Sequence, residues 1–246
     1  MTTLSPPLIH GPFVTGRLGK MMTVDLTAPR DHLVVERGSM IPRASVLVTT
    51  CASRMIELSK AGEKLDHLLV LGTQTDPTEH PHLREVTENL RALRDKWFGR
   101  AKLCIQTSAT DLTTRDMRAA VGMYDKIIAR FEWGTAKTYS AITSDKSTGL
   151  ADLTKSLCSF EHVIVQASFY KGDADNSSDN EIKGWIKKLQ EVKPQEIHIL
   201  SGVGDPNSKK SLKAVTPKRR KAIAEQVAEA TGLTVTLHDD ENLIPA

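Results

Sequence analysis

The sequence predicts an α/β fold of mostly parallel strands, arranged as an open sheet or an incomplete (βα) barrel. Three observations carry that reading. Short aliphatic runs such as Leu68-Leu69-Val70-Leu71 are continuous rather than alternating, as in strands buried on both faces. Each run is followed by apolar residues three and four apart, which lay one apolar stripe along a helix. Strand and helix patterns then alternate to the last strand, with no composition break that marks a second domain.

The elements follow in order. Ile9 to Lys20 is broken by Gly11, Pro12, Gly16 and Gly19 and reads as a loop, so residues 1–21 form an N-terminal loop segment of a single domain spanning 1–246. Met22, Val24 and Leu26 alternate as the first strand, which Pro29 stops, and 32–36 is a short extended piece. After Pro42, Leu47, Cys51, Met55 and Leu58 share one helix face, with Gly62 just past its end. The run 68–71 is a strand, and Leu83, Val86, Leu90, Leu93 and Trp97 stripe the next helix. A strand at 102–108 precedes a short helix from Thr113 to Val121 with a threonine N-cap. A strand at 126–133, a polar loop through Thr138 and Asp145, and a helix carrying Leu150, Leu153 and Leu157 come next. After the strand 162–169, the stretch 171–180 is too polar to pack and is expected to be exposed. Ile182, Trp185, Ile186 and Leu189 mark a helix, 196–200 a strand, and Pro217 to Ala230 a helix with Thr216 at N-cap and Pro217 at N1. The run 233–237 closes the chain's regular structure.

Composition sets the outer limits. The 246 residues hold 39% hydrophobic and 26% charged residues, ordinary for a soluble globular chain that can bury a full core. No apolar run approaches a membrane span and the first residues lack the charged start and apolar core of a signal peptide, so a cytoplasmic protein with no membrane partner is expected. The net charge is +3. Its basic concentration, Lys209, Lys210, Lys213, Lys218, Arg219, Arg220 and Lys221, has no interleaved aromatic residue, which disfavours a nucleic-acid surface. Cys51, Cys104 and Cys158 are widely spaced in apolar contexts and read as buried free thiols. No spacing suits a cysteine-rich metal or cluster site.

The loop after the strand 68–71 sits at the carboxyl end of a parallel strand, the edge where α/β sheets and barrels bind ligands. Gly72, Thr73, Gln74, Thr75 and Asp76 are therefore the first ligand-binding candidates, with Ser108 and Glu132 at later strand exits. Asp76, His80 and His82 have the makings of a hydrolytic or non-haem iron site, but two histidines flanking Pro81 at a helix start read as capping residues, and no metal is expected. His198 reads as a satisfied core histidine. Arg130 and Glu132 form either a site or an internal ion pair. The loop bearing Asp173, Asp175, Asn176, Asp179 and Asn180 has a calcium-like composition without the order of an EF-hand. Gly202-Val203-Gly204 lacks the following helix of a dinucleotide fingerprint.

Four stretches in order also carry a family likeness. Ile9 to Gly19, Val70 to Leu83, Ile105 to Thr110 and Leu212 to Ala224 resemble, respectively, the Y-G-P-x-P-S-R-R-L-G, F-S-G-S-G-E-P-T-L-H-P-D-L, L-T-N-G-S and V-x-P-V-S-x-E-R-L-E-x-I-A stretches of the radical S-adenosylmethionine superfamily, in particular its small wyosine-synthesis-like branch. The resemblance runs over nearly the whole chain and implies an incomplete (βα)6 TIM-like barrel.

The departures decide what the resemblance can imply about function. The family's loop after the first strand carries three cysteines for a four-iron cluster, whereas Leu26 to His32 holds none. Thr73 and Thr75 replace glycines, Asp76 replaces a glutamate, and Ser108-Ala109 replaces Asn-Gly. A cofactor is therefore not expected: the iron–sulfur cluster has no ligands, and S-adenosylmethionine or an adenosine-type ligand remains only as a residual binder. The expectation is a non-catalytic or repurposed protein that has lost radical chemistry and binds a small molecule or protein partner at the strand-exit rim. The alternative is a cluster-independent enzyme using Asp76, Glu132 and nearby histidines for metal-assisted or acid/base chemistry.

Overall fold

The computed structural model describes residues 7–28, 41–110, 112, 114–143, 148–202 and 211–239. The chain divides into two compact units. The first holds β1 (Ile9–Thr15), β2 (Gly19–Asp25), α1 (Ala44–Lys60), β3 (His67–Leu71), α2 (Leu83–Trp97), β4 (Lys102–Thr107) and α3 (Arg115–Val121). β5 (Lys126–Arg130) follows, and the second unit goes on through α4 (Ala136–Ile142), α5 (Leu150–Leu157), β6 (Val163–Ser168), β7 (Tyr170–Gly172), α6 (Asp179–Val192), β8 (Glu196–Leu200), β9 (Leu212–Ala214), α7 (Pro217–Thr231) and β10 (Thr234–His238). The class is α/β with mostly parallel strands; strand and helix alternate as predicted except that α4 precedes α5 directly and the short strands β7 and β9, not foreseen in the sequence, follow β6 and β8 without a helix between.

In the first unit the strand order is β1-β2-β3-β4. β2, β3 and β4 are parallel, with Met22 beside Leu68 and Leu68 beside Leu103, all three fully buried. β1 corrects the sequence reading. Its Gly and Pro do not make a loop: Ile9 to Thr15 pairs antiparallel with β2, with a register shift between His10 and Phe13 that absorbs Gly11-Pro12. An edge strand tolerates a proline because its outer N–H has no ladder to serve. The extended piece expected at 32–36 lies outside the described residues.

α1 and α2 form where the apolar spacing placed them, and Leu47, Cys51, Met55 and Leu58 are buried on α1. Gly62 takes φ +74° one residue past the C-cap. On α2 the stripe is rotated: Leu93 and Trp97 are half-buried, while Thr87 and Arg94 are buried in their place. Both polar groups are satisfied locally. The Thr87 hydroxyl lies 2.8 Å from the Leu83 carbonyl and 2.9 Å from the Tyr124 hydroxyl. Arg94 donates to the Ala101 carbonyl at 2.6 Å, to Asp95 at 2.7 Å and to Asp125.

In the second unit β6, β8 and β10 are parallel neighbours, and β7 pairs antiparallel with β9 as a separate two-stranded ribbon. Three expectations are corrected here. The polar loop after β5 contains a short helix, α4, whose N-cap Thr135 accepts the Thr138 N–H; Asp145 lies outside the described residues. The stretch 171–180 is not uniformly exposed, since Asn176 and Ser177 are each 1% exposed. Cys158, at the C-cap of α5, is exposed, whereas Cys51 and Cys104 are buried as expected. His198 is buried as read, with Nε2 3.1 Å from Glu196 and its ring edge-on to His238 at 4.9 Å. No helix of the described residues is long and apolar enough to cross a membrane.

Candidate functional site

In the first unit the exits of β2 and β3 are knitted together by two buried side chains. Asp25 ends β2 at 1% exposure. Its Oδ1 accepts the backbone N–H of Thr27 at 3.0 Å and of Thr73 at 3.1 Å, and its Oδ2 accepts the Thr73 hydroxyl at 2.5 Å. The Thr27 hydroxyl accepts the N–H of Gln74 at 3.1 Å and of Thr75 at 3.3 Å, and donates to the Thr75 carbonyl at 3.2 Å. Three successive N–H groups of the β3 exit thus face an internal carboxylate and hydroxyl, an arrangement that elsewhere cradles bound anions. Gly72 is required for this closure. A Cβ there would stand 2.1 Å from the Thr75 carbonyl oxygen and 2.7 Å from the Thr27 hydroxyl. The backbone is pinned, while the side chains of Thr73, Gln74 and Thr75 are exposed.

Asp76 serves the same closure one step further. Its Oδ1 accepts the Thr78 N–H at 3.0 Å and the Thr78 hydroxyl at 2.6 Å, capping a 3-10 turn at Pro77–Glu79. The Thr107 hydroxyl at the end of β4 lies 2.8 and 3.0 Å from its two oxygens. His80 is buried, and its Nδ1 accepts the His82 N–H at 3.1 Å, so Nε2 carries the proton toward the Pro42 carbonyl at 2.9 Å. Of the two histidines read as capping residues, His80 accepts from the N-cap residue of α2, whereas the His82 side chain makes no capping hydrogen bond.

In the second unit Glu132 lies just past β5 at 1% exposure. Its Oε1 accepts from Arg130 at 3.0 Å (Nε) and 2.6 Å (Nη2), and its Oε2 accepts the Ser168 N–H at 2.8 Å. The internal ion pair is therefore the arrangement present, with the Arg130 guanidinium 5.4 Å from the Trp133 ring centre. Sequence reasoning placed Asn176 only in an exposed acidic loop and missed its role here. Its amide donates to the carbonyls of Glu132 at 3.0 Å and Ser168 at 2.8 Å, while its oxygen accepts the Tyr170 N–H at 2.8 Å. It ties the β5 and β6 exits into one piece. Its isolation in a polar run concealed it, since nothing in the spacing separates a buried asparagine from exposed neighbours.

Beside it, Glu181 of α6 caps α4. The carboxylate accepts from the N–H of Gly134 and Thr135 at 3.0 and 3.2 Å and from the hydroxyls of Thr135 and Thr138 at 2.5 and 2.8 Å. Gly134 and Gly184 permit this approach: a Cβ on Gly134 would stand 1.9 Å from the Glu181 carbonyl oxygen. The calcium-like loop is likewise made of caps. Asp175 accepts the N–H and hydroxyl of Ser177, both at 2.7 Å, Asp173 accepts the Ser211 N–H at 2.8 Å, and Asp179 pairs with Arg219 at 2.8 Å. Ser108 at the β4 exit bonds Thr110 at 3.0 Å, and Ala109 between them is held at φ +59°, a conformation that disfavours any side chain. Within the first unit Gly72 to Asp76 gather around Asp25 and Thr27; within the second, Glu132 lies by Asn176 and Ser108 by Thr110.

The donors present do not fit an iron–sulfur cluster. Cluster ligation needs accessible thiolates. Burial pushes the Cys51 and Cys104 thiols up to about 12, in α1 and β4, and Cys158 is likewise raised, first by desolvation and then by the Glu191 carboxylate. No cysteine occurs in the sequence before Cys51. Among the described residues no three of His, Cys, Asp and Glu are grouped to hold a metal ion.

No protein-family model matches the chain, and no curated protein is similar to it. Solved structures are. A domain of pyruvate-formate lyase-activating enzyme from Bacteroides vulgatus aligns at TM-score 0.53 and 12% identity, over 70% of this chain and 98% of that one. Streptococcus suis SuiB aligns at TM-score 0.56 and 10% identity over 84% of this chain, and SuiB bound to S-adenosylmethionine at 0.56 and 12% over 85%. The chain spans 45% of SuiB's length in both. At these identities the likeness is one of fold, in keeping with an α/β chain of mostly parallel strands.

Proposed function

We propose that this chain is a cytoplasmic, radical-S-adenosylmethionine-like protein that carries out no cluster-dependent chemistry and uses a strand-exit rim to bind a small molecule or protein partner. The observation that carries the reading is the closure of the β3 exit by Asp25 and Thr27. It occupies the N–H groups of Thr73, Gln74 and Thr75 and the Thr73 hydroxyl, while presenting the side chains of Gln74 and Thr75 on a fixed backbone. A recognition surface gains from such preorganisation because little ordering is left for the moment of binding. The same closure leaves none of these three N–H groups open to the amino-acid end of a sulfonium cofactor. The enzyme alternative is the weaker one, because Asp76, His80 and Glu132 are each engaged by groups of the chain itself.

Titration calorimetry tests this with three probes: S-adenosylmethionine, S-adenosylhomocysteine and adenosine. The proposal expects either no heat or equal affinity for all three, since only the nucleoside would find a surface. An affinity for S-adenosylmethionine more than tenfold above that for adenosine would contradict it.

A further inference from the structure

We infer that the β7–β9 ribbon is a binding site for the phosphate chain of a small oligophosphate-bearing molecule, an inference that rests on the rim-binding reading and gives it a ligand class. Lys171 stands directly opposite Lys213 in the antiparallel register, flanked by the pairs Tyr170–Ala214 and Gly172–Leu212. Tyr170 is fully buried and packs with Ile142, Ala174 and Leu212, so the opposite face of the ribbon carries the two lysines, both exposed. Like charges directly opposed across a strand pair destabilise it. Neither lysine has a carboxylate partner among the described residues, and the nearest on the strand, Asp173, is held by the Ser211 N–H.

The positive charge continues into α7. Lys218 lies five residues after Lys213 in the first turn of α7, a turn with no acidic residue, and cations are disfavoured at a helix start. The other basic residues there are answered: Arg219 by Asp179, Arg220 by Asp239 and Lys221 by Glu225. Among the described residues, Lys171, Lys213 and Lys218 form no ion pair, the first two opposed across the ribbon and the third at the start of the helix that follows β9, and a bound polyanion would relieve all three. Lysines suit phosphate as mobile point charges. The segment exposes no aromatic ring for base stacking, and the exposed large hydrophobics of the described residues are Val14 and Leu237, on other strands, so neither a single-stranded nucleic acid nor a bilayer is favoured.

The test is binding of inorganic tripolyphosphate to the full chain and to Lys171→Gln/Lys213→Gln, with Lys183→Gln/Lys187→Gln on α6 as the control for net charge. Binding is expected to weaken at least tenfold in the ribbon variant, to change little in the control, and to fall between about 50 and 200 mM salt. The unliganded ribbon variant should melt about 1 to 3 °C higher than the parent, because the opposed charges are gone. No binding by the parent, or equal loss in both variants, would overturn the inference. So would an RNA oligonucleotide that binds more tightly than tripolyphosphate through the same lysines. Adenosine binding retained while tripolyphosphate fails would sink this site and leave the rim reading standing.

Discussion

Asp25 and Thr73 are joined twice, by the Thr73 N–H at 3.1 Å on one carboxylate oxygen and by its hydroxyl at 2.5 Å on the other. The two residues belong to neighbouring parallel strand exits, so the pair fixes the spacing of the loop edge where ligands meet such a sheet. Replacing Asp25 by alanine leaves the N–H groups of Thr27 and Thr73 without their acceptor, at about 2 to 3 kcal/mol. Urea denaturation should show that loss. Hydrogen exchange at Thr73, Gln74 and Thr75 should quicken in the variant, and equally fast exchange in the parent would contradict the closure.

Asn176 offers an isosteric test in the second unit. In Asn176→Asp a carboxylate oxygen replaces the NH2 that donates to two carbonyls, Glu132 and Ser168, turning two attractions into repulsions. The expected destabilisation is about 3 kcal/mol or more, above that of Asn176→Ala. A variant as stable as the parent would mean the amide is not buried between those exits.

Thiol accessibility separates the three cysteines. At pH 8 the native chain should titrate one thiol rapidly, Cys158, since Cys51 and Cys104 are buried with their ionisation pushed up to about 12. Denatured chain should titrate all 3. Three fast thiols in the native chain would contradict the placement.

Acid stability should depend on Asp125. Burial alone would raise its carboxyl, but the Leu103 N–H and the Arg94 guanidinium outweigh burial and hold it below the ordinary range. A group with a lowered folded value contributes stability above its unfolded value, about 3.9, and loses it as pH falls through the folded one. The stability gap between the parent and Asp125→Asn is therefore full near neutrality and narrows below about pH 4. A gap constant down to pH 2 would contradict the pairing.

The sequence made most of the fold legible because apolar spacing dictates burial, and burial dictates the longer strands and helices; the short α4, β7 and β9 carry too few apolar residues to show such a pattern. It misread β1, where Gly11 and Pro12 look like punctuation but sit on an edge that tolerates them. It placed Leu93 and Trp97 in the core where Thr87 and Arg94 stand, because a polar side chain with local partners can replace an apolar one and spacing carries no record of the partner. The site was partly legible. Gly72 to Asp76 were found from their position after a strand, but Asp25 and Thr27, which hold them, lie more than forty residues away and no local pattern links the two. Asn176 and Glu181 were hidden in the same way.

Under the proposed function the chain holds no inorganic redox centre. The most direct measurement is iron and sulfide content after anaerobic reconstitution, together with an assay for S-adenosylmethionine cleavage. We predict trace metal and no cleavage. Stoichiometric iron and sulfide, with methionine and a deoxyadenosine product formed from the cofactor, would contradict the account.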